Sequence, residues 1–241
     1  MESVQFYPAG DCGVVAQFGE TIDEAVNRRI ARFAGNIEQA RIKGMTELVP
    51  TFCTLFISYD PRLTGYQKLV KSLHRLLPHE DQAAAGRKII HPIPVCYGGA
   101  LGEDLPHVAQ HAGLTEQEVI DLHSGRDYLI YMLGFLPGFS YLGGMDERLF
   151  TPRLETPRVR IPAGSVGIGG EQTGLYPLDS PGGWQLIGRT PLRPYDPDRD
   201  PAILYRAGDY IRFLPVSPEA YRDIAAQVAA GTYVHQTIEE G

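Results

Sequence analysis

The sequence predicts an α+β fold in two parts: a small α+β sandwich over residues 1–87 and a β-barrel or β-sandwich domain over residues 88–241. The first part alternates between β-rich runs and segments whose apolar residues repeat at helical spacing. Glycine and proline break the second part into short segments, and they make up 19 of the 58 residues from 134 to 191. Because the same window carries six large aromatic residues, we expect ordered turns between strands rather than disorder.

In the first part, each element has its own signal. The predicted elements, in order, are strands at 4–7 and 14–18, a helix that begins at Thr21, a strand at 52–57, a helix at 66–77 and a strand at 89–97. Thr21 and Glu24 have the spacing of a capping box, which predicts the start of the first helix. The polar stretch 78–86 predicts a link, so we place the domain boundary near residue 87.

In the second part, helices flank the glycine-rich window. We predict helices at 104–111, 115–123 and 218–230, strands at 128–136 and 210–214, and further short strands within the window. Thr115 and Glu118 form a second capping box, and Gly125 ends that helix. Ser217 is the expected N-cap of the last helix, with Pro218 at its first position.

The composition excludes several classes of protein. The net charge of −7 argues against a nucleic-acid partner, since binding to phosphates needs a basic surface. No apolar run reaches the ~18 residues that a membrane span needs, and residues 1–5 lack the features of a secretory signal. Cys12, Cys53 and Cys96 are widely spaced, which favours a reducing cytoplasm over a disulfide framework or a structural zinc site. We therefore expect a cytoplasmic protein without nucleic-acid or membrane partners.

The common catalytic and nucleotide-binding motifs are not matched. Ala163 stands where a Gly-x-Ser-x-Gly nucleophile elbow around Ser165 needs its first glycine. Gln172 stands where a dinucleotide fingerprint beginning at Gly167 needs its third glycine. No Gly-x-x-x-x-Gly-Lys phosphate loop occurs, and the glycine-rich window contains no lysine. An anion bound there must be held by arginine, histidine or backbone N–H groups.

Histidines offer two candidate sites. His107 and His111 lie four residues apart on a predicted helix, but no acidic residue lies between them. We interpret them as a solvated helix face and predict no metal site. His123 ends the next helix, shortly before the glycine-rich window. It is either a helix-terminal histidine favoured by the helix dipole or a general acid/base.

The densest group of polar residues runs from residue 158 to residue 189. The group comprises Arg158, Arg160, Ser165, Gln172, Thr173, Tyr176, Ser180, Trp184, Gln185 and Arg189. Arginine side chains and the backbone N–H groups of glycines bind carboxylates and phosphates, which favours a ligand site. The same glycines are equally typical of barrel corners and tight hairpins. These residues by themselves leave both interpretations open.

Four longer motifs carry a family resemblance. They are Leu133–Gly144 (LGFLPGFSYLGG), Arg160–Val166 (RIPAGSV), Gln172–Pro177 (QTGLYP) and Ser180–Pro191 (SPGGWQLIGRTP). With them the sequence resembles the bacterial family called allophanate hydrolase subunit 1. This family includes the B subunit of the ATP-dependent 5-oxoprolinase and the sporulation-kinase inhibitor of Gram-positive bacteria. The resemblance extends from Gly10 to Phe213.

The resemblance implies a ferredoxin-like N-terminal domain and a cyclophilin-like β-barrel C-terminal domain. It also implies two obligate partners: the homologous C subunit, similar to allophanate hydrolase subunit 2, and the A subunit of the same enzyme. Together the three subunits open the lactam of 5-oxo-L-proline to L-glutamate with hydrolysis of ATP. ATP is thus implied as the cosubstrate of the complex, although this chain has no phosphate-loop lysine with which to bind it alone.

The family motifs do not themselves assign catalytic residues, but mapped onto this sequence they suggest a set. We predict that the catalytic residues are His123, Arg160 and Gln172, with His123 as the acid/base. The predicted substrate-binding residues are Phe139, Ser165, Tyr176, Ser180 and Trp184, among which the phenylalanine and the tryptophan would wall the pocket.

The resemblance implies three functions, of which we expect the first. In that one, the chain is the B subunit of a 5-oxoprolinase, acts on a small-molecule amide with its partner subunits and is inactive alone. The second is a binding module that inhibits a histidine kinase. The third is a carboxyltransferase or allophanate-type component of urea metabolism.

Overall fold

The computed structural model describes residues 4–21, 23–77 and 88–240. They belong to two compact units, one within residues 1–86 and the other within residues 87–241. The predicted link at 78–86 lies outside the described residues. Within these ranges, no helix is long and apolar enough to cross a membrane.

The first unit is an antiparallel sheet with two helices. Its elements are β1 (Gln5–Ala9), β2 (Gly13–Gln17), α1 (Glu24–Ala40), β3 (Met45–Pro50), β4 (Thr54–Tyr59) and α2 (Tyr66–Leu76). The strands lie in the order β1-β2-β4-β3, and each neighbouring pair is antiparallel. The sequence predicts one strand where the structure has the hairpin β3–β4, because Glu47 and Pro50 interrupt the apolar pattern of β3.

This layout confirms the predicted ferredoxin-like sandwich, with one difference in connectivity. The succession β2-α1-β3-β4-α2 is the first five elements of the ferredoxin-like pattern. The remaining edge position, beside β2, is filled by β1, which comes before them in the chain. The strand that follows α2, β5 (Lys88–Tyr97), belongs to the second unit instead.

One face of this sheet is buried against the two helices. Alternate residues of the inner strands and residues three or four apart on the helices share the core, which contains Val14, Ala16, Leu55, Ile57, Ile30, Phe33, Ile37, Leu69 and Leu73. These periods of two and 3.6 are those of a strand and a helix with one buried face. Each of the larger side chains, valine, leucine, isoleucine or phenylalanine, contributes about 1.5–3 kcal/mol when fully buried.

The N-cap of α1 is Asp23, so the predicted capping box of Thr21 and Glu24 is wrong. The Asp23 carboxylate accepts hydrogen bonds from the backbone N–H groups of Ala25, at 2.8 Å, and Val26, at 3.1 Å. Glu24 is the first helical residue, so it does not stand at the third helical position that a capping box requires. Aspartate is favoured here because its charge also complements the positive end of the helix dipole.

The second unit is a closed β-barrel flanked by helices. Its further strands are β6 (Asp127–Leu133), β7 (Ser140–Gly143), β8 (Arg158–Ile161), β9 (Ser165–Gly169), β10 (Gln172–Leu175), β11 (Ser180–Gly182), β12 (Gln185–Arg189), β13 (Tyr210–Pro215) and β14 (Ile238–Glu240). Its helices are α3 (Leu105–Ala112), α4 (Glu116–Ser124) and α5 (Pro218–Ala229).

Within residues 88–240, seven strands form the barrel in the order β12-β9-β10-β7-β6-β13-β5, and a pairing of β12 with β5 closes it. β14 pairs with the first residues of β5, and β8 and β11 form a separate two-stranded ribbon. The predicted β-barrel is therefore confirmed. Strand residues such as Val95, Ile130, Val166 and Phe213 fill its interior together with apolar residues of α3 and α4.

The predicted helix ends in this unit are confirmed. Thr115 and Glu118 form the capping box of α4: the threonine hydroxyl accepts from the backbone N–H of Glu118 at 3.2 Å, and the glutamate accepts from the backbone N–H of Thr115 at 2.8 Å. Ser217 caps α5, and Pro218 is its first residue. Local signals at helix ends predict well because the residues that satisfy each other are neighbours in sequence.

Replacing Asp23 with alanine should loosen the first turn of α1, because the N–H groups of Ala25 and Val26 lose their acceptor. Loss of an N-cap costs about 1 kcal/mol. Amide hydrogen exchange in residues 24–30 should become faster. Thr21→Ala is the matched control and should leave exchange unchanged, and an equal acceleration in both variants would contradict the assignment of the cap.

Candidate functional site

Glycines in β9 and β10 leave part of the outer face of the barrel without side chains. In β9, Val166 and Ile168 point into the barrel core, so the residues that alternate with them point outward. The indole of Trp184 lies against this outer face. A Cβ atom on Gly169 would lie 2.5 Å from the indole, and one on Gly174 of β10 would lie 2.8 Å from it. Glycine is required at both positions because a side chain would occupy the place of the tryptophan.

Trp184 forms an aromatic cluster with Phe139 and Tyr176. The ring centroid of Phe139 lies 5.2 Å from that of Tyr176 and 5.6 Å from that of Trp184, and both pairs are edge-to-face. All three side chains are buried. Such pairs contribute ~0.5–1.5 kcal/mol each beyond the burial of their area. The structure thus brings together three of the predicted substrate-binding residues as one buried aromatic wall.

The β8–β11 ribbon covers this cluster. Ile161 of β8 packs among the aromatic rings. Gly182 of β11 approaches so closely that a Cβ atom there would lie 2.8 Å from the Tyr176 hydroxyl. Ser180, another predicted substrate-binding residue, is paired with Ile161 across the ribbon, and its buried hydroxyl has no hydrogen-bond partner among the described residues.

Arg158 connects the ribbon to the barrel. Its guanidinium donates to both carboxylate oxygens of Asp104, at 2.7 and 2.9 Å, and to the backbone carbonyl of Trp184 at 3.2 Å. Asp104 also accepts from the backbone N–H of Leu186 at 2.6 Å. The Nη2 atom donates to both oxygens of Asp104 and Nη1 to the Trp184 carbonyl, so these bonds position both elements and leave Arg158 paired within the protein.

Arg160 lies at the surface and is paired with Asp179. Its side chain is 73% exposed, and its guanidinium approaches the Asp179 carboxylate to 2.6 Å. The same carboxylate accepts from the backbone N–H of Ala163 at 2.8 Å. The Ala163 N–H and the Arg160 guanidinium together hold the pKa of Asp179 below its usual value. The positive charge of Arg160 is thus compensated by Asp179 in this structure. Its catalytic role remains a prediction.

Gln172 is at the start of β10, half-buried and opposite Gly169 in the strand register. Opposed residues of an antiparallel pair share a face, so Gln172 lies on the outer face near the edge of Trp184. Its predicted catalytic role is not decided by this position.

His123 lies on the other side of the barrel wall. Its Nδ1 is 2.8 Å from the Tyr97 hydroxyl and its Nε2 is 2.8 Å from the Thr173 hydroxyl. The side chain is fully buried, and burial lowers the pKa of His123 to about 3, so the imidazole is neutral at pH 7. The Thr173 side chain points inward to His123. The opposite side of the next residue, Gly174, faces the aromatic cluster outside the barrel. Strand β10 therefore separates His123 from the other predicted site residues.

His123 lies in the last turn of α4, as one interpretation of the sequence has it, but its burial disfavours the charged form that the helix dipole would stabilise. A neutral imidazole gains nothing from the charge–dipole attraction expected at a helix end. Both ring nitrogens are hydrogen-bonded to protein hydroxyl groups, so in this structure His123 contacts neither solvent nor a free ligand surface. The acid/base role of His123 remains a prediction. Its contacts make it a hydrogen-bonded part of the barrel core.

Arg189 is the residue that the predicted site omits. It lies directly opposite Ser165 in the β9–β12 register. The Ser165 hydroxyl and the Nε atom of Arg189 are both buried, and neither has a hydrogen-bond partner among the described residues. The sequence places Arg189 in the polar group from 158 to 189, but nothing local distinguishes it from Arg158 or Arg160.

Among the described residues, neither Lys88 nor the backbone of β9 is arranged to hold a phosphate, and no group of side chains is arranged to hold a metal ion. Within the described ranges, no group of three or more His, Cys, Asp or Glu side chains is arranged to hold a metal ion. Lys88, the sole lysine of residues 88–241, lies 2.6 Å from Asp127. The backbone of β9 is paired on one side with β10 and on the other with β12, so its N–H groups are not arranged as an anion nest.

The chain is similar to proteins of known family. The family model for the carboxyltransferase domain, subdomain C and D, matches residues 4–205. A Bacillus subtilis (strain 168) protein named as the B subunit of 5-oxoprolinase is 42% identical over 229 residues, which cover 90% of this chain and 95% of that protein. A protein of the same name from Escherichia coli O157:H7 is 41% identical over 215 residues, covering 89% and 97%. The crystal structure of the K. lactis urea amidolyase matches 98% of this chain and 16% of that chain with a TM-score of 0.81, and at 21% identity this shows a shared fold.

Replacing Gly169 with alanine should displace Trp184, because the new methyl group would meet the indole ring. As the chain has one tryptophan, its fluorescence reports this cluster alone, and we expect a red-shifted spectrum and a lower urea midpoint. Overpacking of this kind costs ~1–3 kcal/mol. Gly134→Ala is the control, since a Cβ atom there makes an ordinary 3.7 Å contact. An unchanged spectrum in Gly169→Ala would contradict the close packing of Trp184.

The neutral state of His123 predicts acid sensitivity of the barrel. Its pKa of about 3 in the folded protein lies below that of an unfolded histidine, so its contribution is complete above ~pH 6.5 and is lost as the pH falls towards 3. Between pH 7 and pH 5 the loss is about 2 kcal/mol of the free energy of unfolding. Urea unfolding followed by Trp184 fluorescence measures it.

His123→Asn should be less stable at pH 7 and should lose less stability on acidification than the wild type, because asparagine does not titrate. His107→Asn, at an exposed position on α3, should keep the wild-type pH dependence. If His123→Asn keeps the full wild-type dependence, His123 is not the buried neutral group described here.

Proposed function

Because this chain belongs to the carboxyltransferase domain family, subdomain C and D, we propose that it is the B subunit of a 5-oxoprolinase, which opens the lactam of 5-oxo-L-proline to L-glutamate. The observation that carries this proposal is the similarity to relatives of that name, at 41–42% identity over 89–90% of this chain and 95–97% of theirs. The same relatives confirm the family resemblance found in the sequence. A match that covers nearly all of both chains relates whole subunits rather than a shared module.

We place the chain in a complex with a homologous C subunit and an A subunit, and we expect it to be inactive alone. The lactam is an unstrained amide, so water opens it only after activation, and hydrolysis of ATP in the complex supplies that activation. Lys88 and the backbone of β9 are already paired within this chain, and we expect the nucleotide to bind to one of the partners. The free cysteines Cys12, Cys53 and Cys96 suit the reducing cytoplasm.

The contribution of this chain is to bind and orient the small amide. The wall formed by Phe139, Tyr176 and Trp184 is rigid and excludes water from one side. Buried donors beside such a wall interact with an anionic or polarised ligand more strongly than the same donors in water. The Ser165 hydroxyl is a donor of this kind, because no described protein group occupies it.

A carboxyltransferase role in urea metabolism is the second candidate, and its support is the fold shared with the urea amidolyase. Inhibition of a histidine kinase remains a third prediction from the sequence. Both alternatives predict no release of glutamate from 5-oxoproline by any complex that contains this chain.

Reconstitution tests the proposed function directly. The chain is purified with the A and C subunits of its own organism, and release of L-glutamate from 5-oxo-L-proline is measured with ATP. We expect release from the complete set, and none when ATP, this chain or either partner is omitted.

The control replaces this chain with the B. subtilis relative in the same mixture. If the relative restores glutamate release and this chain does not, the partners are competent and the proposed function is wrong.

A further inference from the structure

Two buried polar atoms on the outer face of the barrel lack a partner among the described residues. They are the Oγ atom of Ser165 and the Nε atom of Arg189, and neither makes a hydrogen bond there. Leaving a buried donor unsatisfied is destabilising, and more so when the donor is charged. Two such donors on facing residues indicate that a ligand completes the site.

A β-bulge in β12 directs Arg189 to this face. In the pairing with β9, Leu186 lies opposite Gly167 and Gly188 lies opposite Val166, so Ile187 is an extra residue. Ile187 points into the barrel core. Strict alternation would then turn the side chain two residues later, that of Arg189, into the core as well.

The extra residue shifts the alternation, and Arg189 comes to lie opposite Ser165. Ser165 points outward because the next residue, Val166, points inward. Directly opposed residues of an antiparallel pair have Cβ atoms ~4.5–5.5 Å apart, close enough for both side chains to contact one small group. Bulges next to functional sites commonly redirect a side chain in this way.

The charge of Arg189 is not compensated by an ion pair. No carboxylate of a described residue lies within ion-pair distance of its guanidinium, whereas Arg158 is paired with Asp104 and Arg160 with Asp179. The pKa of Asp179 is lowered first by the Ala163 N–H and by Arg160, and Arg189 adds only a distant attraction. Of the three arginines of the polar group, Arg189 is thus the one whose donors remain available.

We propose that Arg189 and Ser165 form the subsite that binds the carboxylate of the substrate 5-oxo-L-proline; this rests on the proposed function. A guanidinium presents parallel N–H donors that match a carboxylate, and the serine hydroxyl adds a further donor from the facing strand. The aromatic wall begins beside it, since the backbone N–H of Tyr176 donates to the Ser165 carbonyl. Arg189, rather than Arg160, is assigned to the carboxylate.

The same donors would suit a phosphate oxygen, so the test separates the two ligands. In the reconstituted complex, Arg189→Gln should raise the KM for 5-oxo-L-proline by ~10- to 100-fold, in line with loss of a charged hydrogen bond, and leave the KM for ATP unchanged. The KM of Arg189→Lys for 5-oxo-L-proline should lie between those of the wild type and Arg189→Gln. Ser165→Ala should raise this KM by a smaller factor than Arg189→Gln does. Arg206→Gln, at an exposed arginine outside the site, should match the wild type.

Binding without turnover keeps this test distinct from that of the proposed function. Calorimetric titration of the complex with 5-oxo-L-proline in the absence of ATP should show binding that Arg189→Gln weakens, while the Trp184 fluorescence spectrum confirms that the variant is folded. Binding that depends on Arg189 in a complex that releases no glutamate would keep the subsite and reject the proposed function.

Two results would overturn the subsite. One is an unchanged KM for 5-oxo-L-proline in a folded, active Arg189→Gln complex. The other is a rise in the KM for ATP alone, which would assign the guanidinium to a phosphate.

Discussion

The short pairing of β12 with β5 closes the barrel, and the outer-face site depends on this closure. Gly188 makes the contact possible, since a Cβ atom there would lie 2.7 Å from the Val95 side chain and 3.0 Å from the Cys96 carbonyl. Gly102 is under a similar constraint, because a Cβ atom on it would lie 2.1 Å from the Ile187 carbonyl. Glycine at these positions is therefore a requirement of close backbone packing rather than a source of flexibility. The same pairing fixes the end of β12, and with it the position of Arg189.

One strand wall divides the polar chemistry of this unit into two kinds. Inside the barrel, His123 is neutral, and both its ring nitrogens are hydrogen-bonded to hydroxyl groups. These bonds fix the orientation of the imidazole within an apolar core. Outside, the Ser165 hydroxyl and the Arg189 Nε are buried without partners among the described residues. A protein tolerates the second arrangement where a ligand supplies the missing acceptors. This contrast is the reason for proposing a binding subsite on the outer face, whereas the hydrogen bonds of His123 contribute to the stability of the interior.

Much of the fold follows from signals that are local in the chain. The ends of α4 and α5 were predictable because each cap and the N–H group it satisfies lie within three residues. The turns that divide the strands predicted a β-barrel or a β-sandwich, and the family resemblance implied the barrel. The start of α1 was not, because Thr21 and Asp23 are both acceptable caps, and only the final geometry decides which side chain reaches the free N–H groups. Only the strand pairing shows that the edge position beside β2 is filled by β1, while β5 belongs to the second unit.

The sequence by itself determined the family and the fold class, because long motifs and short-range periodicity carry that information. Tertiary structure alone decided which polar residues are available. Arg158, Arg160 and Arg189 are alike in sequence, but two of them meet carboxylates contributed by other segments, Asp104 and Asp179. The third is turned outward by one extra residue in β12. Pairing between distant segments and a shift of strand register have no signature within a few neighbouring residues, so the available arginine becomes recognisable only when the barrel is closed.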